Sequence, residues 1–205
     1  MADTNPNARL EAFSDGVFAI ALTLLIIDIK IPVGESIAST SELWLALEHL
    51  LPRIYAFLLS FVIIFITWVN HHNALKLVVR SSSAFIYANG FLLLSVAIMP
   101  FPTALLGETL FTDHAAPAVV LYAVVNGLQT IGWILMIKVA LKPKSLIRNA
   151  KSAAVARGNL RIAYIAVLIY AVCAVLAVWF PLATALLITA IWVAWLIIGI
   201  NLKSE

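Results

Sequence analysis

The segment RLEAFSDGVFAIALTLLIIDI, residues 9–29, is long enough to cross a bilayer but carries polar side chains where it begins. Arg9, Ser14 and Asp15 all lie in its first third. An ionisable side chain at membrane depth is costly, and it usually pairs with other groups inside a helix bundle. We therefore expect Asp15 to meet partners from neighbouring helices. The alternative is a first-turn acid that only the helix dipole favours.

Suitable partners occur in the next two apolar segments. The second segment ends in WVNHHN, and its Trp68, His71 and His72 lie on one helical face. Asn89 lies in the first turns of the third segment, on the same side of the membrane. The pattern predicts one hydrogen-bonded network that holds the inner end of the first helix. Its expected members are Ser14, Asp15, Trp68, His71 and Asn89.

Motifs for other kinds of chemistry are missing from the sequence. It contains no His-Glu-x-x-His, Gly-x-Ser-x-Gly, Walker or Cys-x-x-Cys pattern, so we predict that the chain is not an enzyme. The adjacent His71 and His72 point in different directions without a Cys or carboxylate at ligand spacing, and we predict no metal and no cofactor. No exposed basic domain is available for nucleic acid, and no Thr-Val-Gly-Tyr-Gly filter is present.

The first segment has a second feature, an apolar stripe. At 100° per residue, Ile20, Leu24 and Ile27 fall within about 60° of one another. Phe13 and Thr23 widen this stripe, together with Gly16. Ser14 and Asp15 point away from it.

The chain as a whole has the composition of a membrane protein. Its residues are 63% hydrophobic and 11% charged, whereas soluble domains are about 45–50% apolar and about 25% charged. The apolar residues fall in runs of bilayer-spanning length. We therefore predict an all-α membrane protein in which residues 1–205 form a single six-helix domain. The predicted spans are 11–30, 52–75, 84–106, 116–140, 160–180 and 183–202.

The charges predict the orientation of these spans. With the N-terminus in the cytoplasm, Lys30 and Arg53 are the only two of the 13 Lys and Arg residues on the outer side. This bias predicts that both termini are cytoplasmic. Residues 32–51 are expected to contain a short amphipathic helix on the outer surface. The basic stretch 141–158 is expected to be a solvated loop, with contact to anionic lipid as the functional alternative.

The opening stretch RLEAFSDGVFAIALTLL resembles the R-x-x-x-F-S-D signature of the transmembrane-protein-175 family of potassium channels. The resemblance extends to the W-x-x-H of the second helix and to the pattern from Asn89 to Pro100 in the third. It implies a prokaryotic, single-repeat member in the plasma membrane, with four subunits around a potassium pore lined by the first helix. The implied constriction is Ile20, Leu24 and Ile27, with Thr23 lining the pore nearby; the implied supporting network is Arg9, Phe13, Ser14, Asp15, Trp68, His71 and Asn89.

Two other functions compete with a leak-type potassium channel gated by this apolar constriction. One is a proton-coupled secondary transporter in which Asp15 and His71 relay protons, although the apolar midplane of the first helix argues against it. The other is a membrane scaffold without transport activity, for which the stripe would be ordinary helix packing. The expected partners of the channel are potassium ions, the lipid bilayer and three further copies of the chain.

Overall fold

The computed structural model describes residues 6–30, 37, 39–142 and 146–201, with side chains up to Ile197. Three parts of the predicted segments lie outside these residues. They are residues 32–36 and 38 of the segment 32–51, residues 143–145 of the stretch 141–158, and residue 202 of the last span.

The described chain is helical except for turns, short connections and one isolated bridge. The first helix, α1, ends in a 3₁₀ turn at Leu25–Asp28. The helices are α1 (Ala8–Leu24), α2 (Thr40–His49), α3 (Leu51–Lys76), α4 (Ser83–Ile98), α5 (Pro100–Thr109), α6 (Ala115–Ala140), α7 (Ala150–Leu176) and α8 (Pro181–Asn201).

The prediction of an all-α membrane protein is confirmed. Five helical stretches among the described residues are long and apolar enough to cross a bilayer. They are Ala8–Asp28, Leu51–Lys76, Ser83–Thr109, Ala115–Ala140 and Ala150–Leu176. The sixth predicted span falls on α8, whose shorter stretch Pro181–Ile197 is also apolar.

Proline divides the third span into two helices. Pro100 lacks an N–H group, so α4 ends at Ile98 and α5 begins at Pro100. The freed carbonyl of Val96 accepts a bond from Met99 N at 3.1 Å. The hydroxyl of Thr103 then bonds to Met99 O at 2.7 Å. Local bonds of this kind make a break tolerable at membrane depth.

The prediction of a loop over 141–158 is wrong in its second half. Helix α7 begins at Ala150, where Asn149 caps it by accepting from Ser152 N at 2.8 Å. The preceding residues pair with the α3–α4 connection, because Val79 N bonds to Leu146 O at 2.7 Å. The stretch is helical from Ala150 because Asn149 caps it and the residues that follow favour a helix, although its basic charge suggested a solvated loop.

The short helix expected within 32–51 is confirmed as α2, which Ser39 caps by accepting from Glu42 N at 3.2 Å. No residue of α2 is buried, and Leu43, Trp44 and Leu45 are exposed. An exposed Trp and Leu pair next to a spanning helix is typical of a helix at a membrane interface.

The core of the protomer lies around α6, which packs against α4, α5, α7 and α8. A buried cluster of hydroxyl groups joins α3, α5 and α6, since Ser60 contacts Thr103 at 2.7 Å and Tyr122 at 2.8 Å. Helix α1 packs against α3 and α4. It therefore lies at the edge of the protomer, with one side uncovered.

Gly132 allows the close approach of α6 to α4. A Cβ atom on Gly132 would lie 2.8 Å from the Cα atom of Leu92, which is backbone and cannot rotate away. We expect Gly132→Ala to lower the free energy of unfolding by about 1–3 kcal/mol, a typical overpacking cost. Thermal unfolding of the purified protein in detergent measures this change. Gly90→Ala is the control, because a Cβ there meets nothing within 4 Å; equal unfolding temperatures for the two variants would contradict the prediction.

Candidate functional site

The apolar stripe predicted on α1 lies on the uncovered side of that helix. The side chains of Ile20, Leu24 and Ile27 are 60%, 41% and 54% exposed. Thr23 is exposed beside them, and its hydroxyl bonds to Ile20 O at 2.9 Å within the helix. The hydroxyl is thereby satisfied without a partner from another element. Below, "the α1 stripe" denotes Ile20, Thr23, Leu24 and Ile27.

The opposite side of α1 is buried in the protomer. Phe18, Ala21 and Leu25 are each at most 2% exposed and belong to the main hydrophobic core. Because these residues occupy one face of the helix, the α1 stripe must face away from the protomer's own bundle.

The C-terminal end of the stripe differs from the expected α-helix. Ile27 lies in the 3₁₀ turn Leu25–Asp28, which winds at about 3.0 residues per turn. This tighter winding leaves Ile26 and Ile27 both exposed, at 52% and 54%. Asp28 is partly buried and, with Arg53, lines a small cavity at this end.

A buried chain of hydrogen bonds holds the N-terminal half of α1. Asn89 Nδ2 donates to Ser14 Oγ at 3.0 Å, and Ser14 Oγ donates to Leu10 O at 2.8 Å. Asn89 Oδ1 lies 2.7 Å from Nε2 of His71. A carbonyl oxygen only accepts, so Nε2 of His71 carries the hydrogen. Ser14, His71 and Asn89 are each at most 1% exposed, so helices α1, α3 and α4 meet at a satisfied polar junction.

A second set of contacts runs beside this chain at the surface of the protomer. Trp68 Nε1 donates to Asp15 Oδ1 at 2.8 Å. One turn nearer the N-terminus of α1, Glu11 Oε1 lies 3.1 Å from His72 Nδ1. The rings of Trp68 and His72 stack with centroids 6.3 Å apart. Below, "the polar clamp" denotes Ser14, Asp15, Trp68, His71 and Asn89.

Two residues of the predicted network stand apart from these contacts. Arg9 is exposed, and among the described residues no hydrogen bond or ion pair involves its side chain. Phe13 is 64% exposed and lies on the same side of α1 as the stripe. Neither side chain therefore takes part in the hydrogen bonds of the polar clamp.

Sequence reasoning missed the pair of Glu11 and His72. The sequence nevertheless contains a pattern that predicts this pair, because the same spacing occurs on both helices. Glu11 and Asp15 are four residues apart on α1. Trp68 and His72 are four residues apart on α3. Side chains at i and i+4 share a helix face, so two antiparallel helices bring both pairs into register. The buried cluster of Ser60, Thr103 and Tyr122 was also missed, and it has no such spacing signal.

Within the clamp, Asp15 and His71 are not hydrogen-bonded to each other. Asp15 is bonded to Trp68, whereas His71 is bonded to Asn89. The two groups assigned to a proton-coupled transporter thus have separate partners.

Among the residues of the clamp, we expect the replacement of Asn89 to lower the free energy of unfolding most. Asn89→Leu keeps the number and branching of the side-chain heavy atoms but leaves the Nε2–H group of His71 without its acceptor. An unsatisfied buried polar group costs about 1–3 kcal/mol, so we expect the unfolding temperature in detergent to fall. Asn70→Leu, at an exposed position on α3, is the matched control. A similar shift for both variants would show that Asn89 has no special role.

Comparison with known proteins identifies what this arrangement resembles. Residues 9–100 match the family described as "Endosomal/lysosomal potassium channel TMEM175". The chain is 49% identical over 121 residues to a potassium channel of Chamaesiphon minutus, with 59% of each chain covered. It is 44% identical over 135 residues to a potassium channel of Streptomyces collinus, covering 63% of this chain and 64% of that protein. The matched segments thus span less than two thirds of the length of either relative.

The fold is also similar to a solved structure. The chain superposes on the crystal structure of a lysosomal potassium-selective channel TMEM175 homolog from Chamaesiphon minutus with a TM-score of 0.76 and 36% identity. That match covers 92% of this chain and 96% of the other. The resemblance in fold therefore extends well beyond residues 9–100.

Proposed function

This chain belongs to the TMEM175 family, and we propose that it is a leak-type potassium channel formed by four copies around a central pore. In this proposal residues 1–205 act as one channel domain. One chain supplies one α1, and one helix cannot enclose a channel. Closed rotational symmetry is the economical way to supply more.

The observation that carries the proposal is the position of the α1 stripe. Its branched side chains are exposed on a helix at the edge of the protomer, while the other face of that helix is buried. Four copies with this edge at the axis would place rings of Ile20, Leu24 and Ile27 around the pore, with Thr23 between them. The polar clamp would fix the direction in which these rings point.

A ring of branched apolar side chains supplies a physical mechanism for gating. A narrow apolar neck empties of water, and an ion does not cross it without part of its hydration shell. Slight widening admits a partly hydrated cation. Potassium loses water more readily than sodium, so a tight neck favours potassium without a cage of carbonyl groups.

The orientation in the proposal follows the charges. Exposed cations cluster at the membrane face where α3, α6 and α8 end, and they include Lys76, Arg80 and Arg148. Lys30 and Arg53 lie at the other face. The positive-inside rule then places both termini in the cytoplasm, and we assign the protein to a prokaryotic plasma membrane.

Ion flux from liposomes tests the proposal. Purified protein should release potassium down its gradient faster than sodium, without a counter-substrate and without a requirement for a proton gradient. Empty liposomes give the background. Flux that stops unless protons move with the ion would instead identify a coupled transporter, and flux equal to the background would identify a scaffold.

A further inference from the structure

A cavity opens at the membrane face where the 3₁₀ turn of α1 ends. It has a volume of about 250 Å³ and lies between α2, the start of α3 and the end of α5. The side chains that line it include those of His49, Pro52, Arg53 and Glu108. Helix α2, with its exposed Trp44, forms one wall at the expected depth of lipid headgroups.

Two opposite charges lie at the mouth of this cavity. Arg53 Nη2 is 3.6 Å from Glu108 Oε1, and the two side chains are 33% and 59% exposed. Direct charge-assisted hydrogen bonds are shorter, at about 2.7–2.9 Å. Arg53 also makes one long bond, of 3.5 Å, to Lys30 O. Since a guanidinium carries five N–H donors, Arg53 has donors available for a ligand.

The backbone fixes the position of Arg53. A Cβ atom on Gly107 would lie 2.9 Å from the Cα atom of Arg53. Helices α3 and α5 therefore touch at this point. The close contact holds Arg53 beside Glu108, which follows Gly107 in the chain.

An apolar stripe leads away from Glu108 toward the middle of the membrane. Leu94, Ile98 and Phe101 are 55%, 39% and 64% exposed, and Leu105 is half-buried. Their spacing of three or four residues places them on one face of α4 and α5. From Leu94 to Glu108 the rise is about 20 Å at about 1.5 Å per residue, which is longer than one leaflet of hydrocarbon.

We propose that this cavity and stripe bind one phospholipid with a phosphate–ammonium headgroup. The phosphate lies against Arg53, the ammonium lies against Glu108, and an acyl chain follows the stripe. A headgroup with only a phosphate would be repelled by Glu108. A soluble zwitterion would match the charges but leave the adjoining stripe unused, so the combined surface fits a lipid.

Lipid titration of the purified full-length protein, followed by native mass spectrometry, tests this assignment. Delipidated protein should retain phosphatidylethanolamine, and the apparent Kd should rise at least about tenfold in Arg53→Gln and in Glu108→Gln. Arg80→Gln, at the opposite membrane face, should leave the Kd unchanged. Phosphatidylglycerol should bind more weakly than phosphatidylethanolamine, and soluble phosphoethanolamine should not compete at equal concentration.

Three results would overturn the assignment. They are unchanged binding in both variants, equal binding of phosphatidylglycerol, and no retained phosphatidylethanolamine on the wild-type protein. The last result would assign the stripe to contact between copies of the chain. Glu108 is exposed, so Glu108→Gln remains informative even if Arg53→Gln fails to fold. Lipid binding is measured without ion flux, so its failure is distinct from failure of the channel proposal.

Discussion

Replacing Ile20 with Asn should raise potassium flux from liposomes by at least about tenfold and reduce the preference for potassium over sodium. In the proposed tetramer, one substitution places four amides in the narrowest part of the pore. These amides hydrogen-bond to water, so the neck no longer empties and both ions pass with more of their hydration shell. A tenfold increase corresponds to a barrier that is lower by about 1.4 kcal/mol. This is a modest change for four side chains that now hydrogen-bond to water.

The control for this variant is a similarly exposed apolar residue on another helix. Val172 on α7 is 49% exposed, so Val172→Asn introduces the same amide on the outside of the protomer. We expect little change in flux from it. Both rates are measured at equal protein-to-lipid ratios after gel filtration of the oligomer. If Ile20→Asn left conductance and selectivity unchanged, Ile20 would not form the neck.

Periodicity was sufficient to find the elements and faces of the first half of the chain. The wheel separated Ile20 and Leu24 from Ser14, and burial in the structure follows the same division. The reason is that a bilayer forces backbone bonds to be made within each helix, so a regular wheel is a good guide there. The break in the third span has an equally local cause, because Pro100 has no N–H group to continue the helix.

The predictions from sequence failed at two places. One is the point where α1 changes its winding, and the other is the basic stretch that was interpreted as a loop without regard to its helix cap. The 3₁₀ turn after Leu24 rotates Ile27 relative to a regular α-helix, and no residue type in LIID signals that change. The loop expected up to residue 158 is helical from Ala150 because Asn149 caps it. The partners of Ser60 depend on how three helices pack, which spacing along one helix does not encode.

The members of the polar clamp could be predicted from the sequence, but the hydrogen bonds that join them could not. A network of five residues was expected, and the structure divides it into a buried chain through Asn89 and a surface contact between Asp15 and Trp68. Burial explains the division. Ser14 is buried in the core and has a neutral partner, whereas Asp15 is only partly buried, where a charged side chain costs less.

Cysteine at Leu24 should make potassium flux sensitive to cadmium ions. Four thiolates around one axis form a site of the soft ligands that such metals prefer. A bound divalent cation would then block the pore, and we expect flux to fall at least about tenfold and to recover with a chelator. The single native cysteine, Cys173, is buried, so Cys173→Ala provides a thiol-free background with a small change in packing.

The position of the cysteine decides what cadmium inhibition means. Val172→Cys on α7, in the same background, exposes a thiol outside the proposed pore and should leave flux insensitive to cadmium. Native mass spectrometry of the Leu24→Cys protein should give four times the 22.3 kDa mass of one chain. A tetramer whose flux ignores cadmium would place Leu24 away from the axis. Inhibition in a dimer would keep the pore at α1 but exclude fourfold symmetry, so block and mass together separate the lining of the pore from the number of chains around it.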